Sequence, residues 1–197
     1  MKLIGITGGV GSGKSRVLDH LVSFDNVFVV KADELAHRLT KPGGVCFKAL
    51  EELFGTSLST EDGELDKAKI AGRIFKDASL REGMNNIVHP EVKKYILNDV
   101  KEKASSGLYS YYFLEAALLI EEGYDKICDE LWYIYTDENI RRERLKSSRG
   151  YSNEKINDII KSQSSDGIFK KYCKVIINNS GEFKDTVLQI DKFLEDV

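Results

Sequence analysis

Eight residues near the start of the chain, Gly8 to Ser15, read GGVGSGKS and directly follow the apolar run Leu3-Ile4-Gly5-Ile6. The spacing G-x-x-x-x-G-K-[ST] is that of a phosphate-binding loop set between a strand and a helix. Each residue type answers a demand of a polyphosphate. Glycines allow backbone conformations closed to other residues and bring N–H groups onto phosphate oxygens. Lys14 can reach the β/γ-phosphates as a point charge. The Ser15 hydroxyl can ligand Mg²⁺. The helix that follows carries Val17, Leu18, Leu21 and Val22 on one face and aims its positive end at the anion. Gly11, Ser12, Gly13, Lys14, Ser15 and Arg16 are therefore the candidate ATP contacts. Arg16 is unusual, because it adds a positive charge to a first helical turn, where the dipole disfavours it. A nearby phosphate or carboxylate would offset that cost.

The loop needs a sheet to stand on, and the pattern supplies one. Val27-Phe28-Val29-Val30, Tyr111-Tyr112-Phe113-Leu114, Leu131-Trp132-Tyr133-Ile134-Tyr135 and Val175-Ile176-Ile177 are short apolar, β-branched or aromatic runs bounded by polar residues. Helical patterns lie between them, which predicts an α/β fold with a parallel five-stranded sheet flanked by helices. The alternation breaks between about Asp33 and Ser110, where no buried strand is evident. There Pro42-Gly43-Gly44 starts a helix that Phe54-Gly55 ends, and Asp66 to Lys76 forms another with Ile70 and Ile74 on one face. Pro90 opens a third, striped by Val92, Ile96 and Val100. An insertion of this size is either a substrate lobe or plain packing. Arg141, Arg142, Arg144, Lys146 and Arg149 cluster after the Trp132 strand, at the sheet end where ligands sit in such folds.

A length of 197 residues suits one such domain with a small inserted lobe. The net charge of −3 argues against an electrostatic nucleic-acid binder. Cys46, Cys128 and Cys173 are far apart and form no C-x-x-C pair, so reduced, partly buried thiols are expected. No apolar run of about 18 residues is present. The first strand begins at Lys2 and leaves no room for a presequence, which points to the cytoplasm and away from a membrane.

Phosphate binding alone does not choose among hydrolysing ATP, switching on GTP and phosphorylating an acceptor. Neither a D-x-x-G element nor an N-K-x-D guanine reader occurs, which counts strongly against a regulatory GTPase. Asp33 follows a strand tip, where a carboxylate can orient or deprotonate an acceptor hydroxyl, or else cap the helix after it. Glu115 ends an apolar strand and could hold Mg²⁺ through water. His89 either contacts the acceptor or fixes a helix start. His20 falls on the polar face of the first helix and is expected in solvent. Tyr109, Tyr111 and Tyr112 either line the acceptor pocket or belong to the core, as strand aromatics more often do, and Trp132 is expected in the core.

Together these residues resemble the dephospho-coenzyme A kinase family over nearly the whole chain. The resemblance rests on Gly5-Ile6-Thr7 with the loop, Ala32-Asp33 with Leu35-Ala36-His37, Pro42-Gly43, Phe54-Gly55, Leu65-Asp66, Ile74-Phe75, Ile87-Val88-His89-Pro90, Leu118-Leu119 with Glu121, Arg144-Leu145, Arg149, Gln163 and Asn179-Ser180-Gly181. It implies transfer of the ATP γ-phosphoryl to the ribose 3′-hydroxyl of dephospho-coenzyme A, with Mg²⁺. It also implies a P-loop kinase core over residues 1–40 and 108–197, a helical coenzyme-A lobe over about 41–107 and a lid over about 141–165. On this resemblance Lys14, Asp33, Arg144 and Arg149 are the catalytic candidates. Asp33 and His89 would bind the acceptor, and Ser15 and Glu115 the metal. The chain departs from the family pattern at Lys31, Glu115, Ala117 and Lys174, and its lid arginines are one residue further apart than usual. Alternatives are another P-loop metabolite or nucleoside-monophosphate kinase, or a nucleotide-binding module without turnover.

Overall fold

The computed structural model describes residues 1–55, 60 and 64–195. The sheet contains β1 (Lys2–Thr7), β2 (Val27–Lys31), β3 (Tyr111–Glu115), β4 (Glu130–Tyr135) and β5 (Val175–Asn178), in the order β2-β3-β1-β4-β5. β1 runs parallel to β3 and to β4, and β4 runs parallel to β5. All five runs of the sequence pattern are strands. The loop-bearing β1 lies at the centre, where both neighbours shield its backbone.

Chain connectivity makes two compact units, residues 1–30 with 106–197 and residues 31–105. The first unit contains α1 (Lys14–Leu21), α6 (Glu138–Arg149), α7 (Asn153–Lys161), α8 (Asp166–Tyr172) and α9 (Phe183–Glu195). Its core joins Ile4, Ile6, Phe113, Trp132 and Ile134 of the strands to Val17, Leu18 and Leu21 of α1 and Ile190 of α9. The P-loop helix is thereby fixed by its apolar face, each fully buried large side chain contributing roughly 1.5–3 kcal/mol. Tyr111, Tyr112 and Trp132 are core residues. His20 is not in open solvent as expected. Its Nε2 lies 2.8 Å from Asp191 Oδ1, joining α1 to α9.

The second unit is helical: α2 (Ala32–Leu39), α3 (Phe47–Phe54), α4 (Lys67–Lys76) and α5 (Ala78–Ser106). Asp66 caps α4, accepting from the Ala68 and Lys69 amides at 3.0 Å each. One expectation fails here. Pro90 does not open a helix but lies inside α5, which starts twelve residues earlier. Asp77 supplies the start, its carboxylate accepting from the Ser79 amide at 2.9 Å. An internal proline forfeits one backbone hydrogen bond and costs roughly 3 kcal/mol. The stripe Val88, Val92 and Ile96 runs straight across it and is buried, which offsets that cost.

Candidate active site

The loop after β1 is built so that its glycines are required. Gly11 and Gly13 have φ of 84° and 87°, in the left-handed region that disfavours side chains. A Cβ on Gly13 would also run into the Asn179 amide, and one on Gly9 into the Arg141 guanidinium. Gly13 caps α1 without a side chain, and no acidic residue occupies the first turn. The positive end of this helix is thus available to an anion. Lys14 Nζ donates to Gly8 O at 2.6 Å and stands 4.0 Å from Glu115 Oε1.

The ends of β4 and β5 hold the loop in shape. Asn179 Nδ2 donates to Ser12 O at 2.7 Å, and the Thr136 hydroxyl lies 3.0 Å from the same oxygen. Thr186 Oγ1 fixes the Asn179 side chain by donating to its Oδ1 at 2.9 Å. Arg144 joins this cluster, its NH2 donating to Asn179 O at 2.9 Å. The Ser12 hydroxyl, buried, has no hydrogen-bond partner among the described residues.

Two guanidiniums stand close together at this rim. Burial, and then the charge of Arg16, push the Arg144 guanidinium below its usual pKa. Arg16 lies 4.0 Å over the Phe183 ring. That cation–π contact accounts for a charge that the helix dipole disfavours, since an aromatic face supplies the electron density that the helix end does not. Two adjacent cations beside an open helix N-terminus favour a polyanionic ligand.

The structure therefore groups Gly11, Ser12, Gly13, Lys14, Ser15, Arg16, Glu115 and Arg144 in the first unit. It separates Arg149, which ends α6 more than a turn beyond Arg144 and lies 5.9 Å from the Tyr151 ring. Asp33 and His89 belong to the second unit. Asp33 is exposed in the first turn of α2, whose cap is Lys31, so it does not serve as the cap. His89 is half-buried within α5, not at a helix start. The second unit also encloses a cavity of about 420 Å³, lined by apolar Leu50, Phe54, Ile70 and Val88 and by polar Asp33 and His37.

Of the residues singled out for a metal, Ser15 offers a hydroxyl and Glu115 a carboxylate. Both are hard oxygen ligands, and no group of three or more metal-binding side chains occurs among the described residues. This fits a cation that keeps waters and takes phosphate oxygens, as Mg²⁺ does, better than one needing an all-protein cage. The sequence did not reveal the work of Thr136, which no motif marks. Arg141 and Asn179 were visible only as members of a charge run and a resemblance.

The chain is similar to known proteins both in sequence and in fold. The sequence model of the dephospho-CoA kinase family matches residues 2–185. The dephospho-CoA kinase of Carboxydothermus hydrogenoformans is 33% identical over 198 residues, covering 99% of this chain and 94% of its own. That of Dehalococcoides mccartyi is 32% identical over 185 residues, covering 94% and 92%. Among solved structures, the dephospho-CoA kinase from Campylobacter jejuni shares the fold with a TM-score of 0.76 at 20% identity, covering 100% of this chain and 97% of its own.

Proposed function

The chain belongs to the dephospho-coenzyme A kinase family, and from that premise we propose that it transfers the γ-phosphoryl of ATP to the ribose 3′-hydroxyl of dephospho-coenzyme A, yielding coenzyme A and ADP. The observation that carries this reading is the loop itself: glycine backbone, Lys14 and Arg144 converge on the open end of α1, with Asn179 and Thr136 fixing the geometry. Phosphoryl transfer asks mainly for positioning and for cations placed where charge develops.

In this reading the loop amides and Lys14 hold the phosphates of ATP. Arg144 and Arg16 balance charge at the rim, with Arg144 suited to bidentate contact because its guanidinium is planar. Arg149 is the second lid arginine, and it would approach the phosphates by movement of the part of the 141–165 segment between the anchored Arg144 and Gln163, which would also exclude water. Ser15 and Glu115 would hold Mg²⁺, which supplies charge neutralisation at the β- and γ-phosphates. Asp33 takes the proton of the attacking hydroxyl. The cavity of about 420 Å³ in the helical unit suits an extended, largely apolar arm of the acceptor, with His89 as a further acceptor contact. No described helix is long and apolar enough to cross a membrane, and the soluble nucleotide substrates of the proposed reaction support a cytoplasmic location.

The test is ADP release from ATP with dephospho-coenzyme A and nucleoside monophosphates offered separately. Release is expected with dephospho-coenzyme A, together with a product heavier by one phosphoryl group. Release with a nucleoside monophosphate and none with dephospho-coenzyme A would overturn the proposal.

A further inference from the structure

One residue of the phosphate loop, Val10, has both of its backbone polar groups held by a single pair of side chains. Arg141 Nε donates to Val10 O at 3.0 Å, and the Val10 amide donates to Gln163 Oε1 at 3.1 Å. Arg141 NH2 donates to that same Oε1 at 2.9 Å, closing the ring. Arg141 comes from the first turns of α6, and Gln163 follows the end of α7. Arg141 as a residue is 7% exposed. Because a Cβ on Gly9 would strike it, the loop backbone lies directly against the cation.

The partner's chemistry is unexpected. A buried guanidinium ordinarily has a carboxylate beside it, because an uncompensated charge is costly to desolvate. Among the described residues no carboxylate pairs with Arg141; its partners are the oxygens of Val10 and of the neutral Gln163 amide. A glutamate at position 163 could accept the same two hydrogen bonds, and charge assistance would strengthen them. The Gln163 amide accepts one hydrogen bond from the guanidinium and leaves its charge standing.

We propose that Gln163 is a positioning residue that holds Arg141 as an uncancelled cation against the phosphate loop, so that the buried charge acts on the nucleotide's phosphates across the Gly9–Val10 backbone. The amide fixes the guanidinium by one hydrogen bond without neutralising it. A carboxylate would make a more stable unliganded loop and a weaker phosphate site. The proposal rests on the reading of the loop as an ATP site.

Gln163→Glu tests it, since the change keeps shape and acceptors and adds only charge. The measurements are the Kd of ATP with Mg²⁺ at several KCl concentrations, thermal stability without nucleotide, and KM for dephospho-coenzyme A. The variant is expected to be at least as stable as the parent. It should bind ATP about five- to tenfold more weakly at low salt, the size of a one-charge change at short screened range. Its ATP affinity should fall less steeply with salt, and its acceptor KM should be unchanged. Equal ATP affinity with a parallel salt slope overturns the proposal and leaves the ATP site standing. A parent protein that binds no ATP overturns both. Should Gln163→Glu fail to fold, Arg141→Lys and Arg141→Met form a second pair. The lysine keeps the parent's salt slope and the methionine flattens it; a parental slope in the methionine variant also overturns the proposal.

Discussion

Gly13→Ala separates two reasons for a glycine, and a control in the same unit isolates them. Gly13 (φ 87°) and Gly123 (φ 70°) both sit in the left-handed region. Alanine there costs about 1–2 kcal/mol in backbone strain at either position. Gly123 faces open space, so strain is the whole effect. At Gly13 the new methyl also displaces the Asn179 amide, which donates to Ser12 O at 2.7 Å in a buried setting. Losing that bond and stranding its partners adds about 1–3 kcal/mol. At about 2–4 °C per kcal/mol for a chain of this size, Gly13→Ala should lower Tm by roughly 4–20 °C and Gly123→Ala by roughly 2–8 °C. The loop should also open, weakening ATP by about tenfold or more, as expected when fixed phosphate-binding geometry is lost. The assay is differential scanning calorimetry with ATP titration calorimetry on both variants. Equal Tm losses and parental ATP affinity in Gly13→Ala would refute the claim that Asn179 locks the loop.

Other outcomes follow from the same geometry. Lys14→Ala should lose on the order of a thousandfold in kcat, the scale of a deleted transition-state cation; near-parental turnover would remove Lys14 from the reaction. Asp33→Asn should lower kcat by about a hundredfold or more while leaving ATP affinity intact, since a general base contributes about that much; loss of ATP binding alone would reassign Asp33 to the donor side. Stability should decline in alkaline solution. Burial pushes the Cys128 and Cys173 thiols up from 9.0 to about 12 and the Tyr124 phenol from 10.0 to about 12. These groups stay protonated in the folded chain while the unfolded chain ionises. Their contribution is full below pH 9 and is lost as pH rises toward 12. Melting curves from pH 8 to 11 should show this fall, and Cys128→Ala should make it shallower; an unchanged slope would mean that the thiol is not withheld from solvent. Iodoacetamide at pH 8 should label native Cys128 and Cys173 far more slowly than the unfolded chain.

How legible a feature was depended on how far apart its parts lie in the chain. The five strands and α3 could be read because period, β-branching and turn residues act over a few neighbours. The α5 helix was misread at Pro90 because a local breaker was weighed without the burial of Val88, Val92 and Ile96, which only packing supplies. His20 looked solvated on its own helix, and α9 brought Asp191 to it from 171 residues away.

The phosphate loop shows the same division within one site. From the sequence alone Gly8–Ser15 could be read as a phosphate-loop pattern with Lys14 and Ser15 as its candidate contacts, because loop, strand end and helix start are contiguous and their chemistry is local. The sequence raised the question of Arg16 and could not answer it. Tertiary structure brought Phe183 under that guanidinium, Asn179 and Thr136 onto the Ser12 carbonyl, and Arg141 with Gln163 onto the Val10 peptide. Each of these residues comes from more than 120 positions away along the chain. A parallel sheet collects such residues at one end of its strands, and their pairing depends on strand order, which no local pattern encodes.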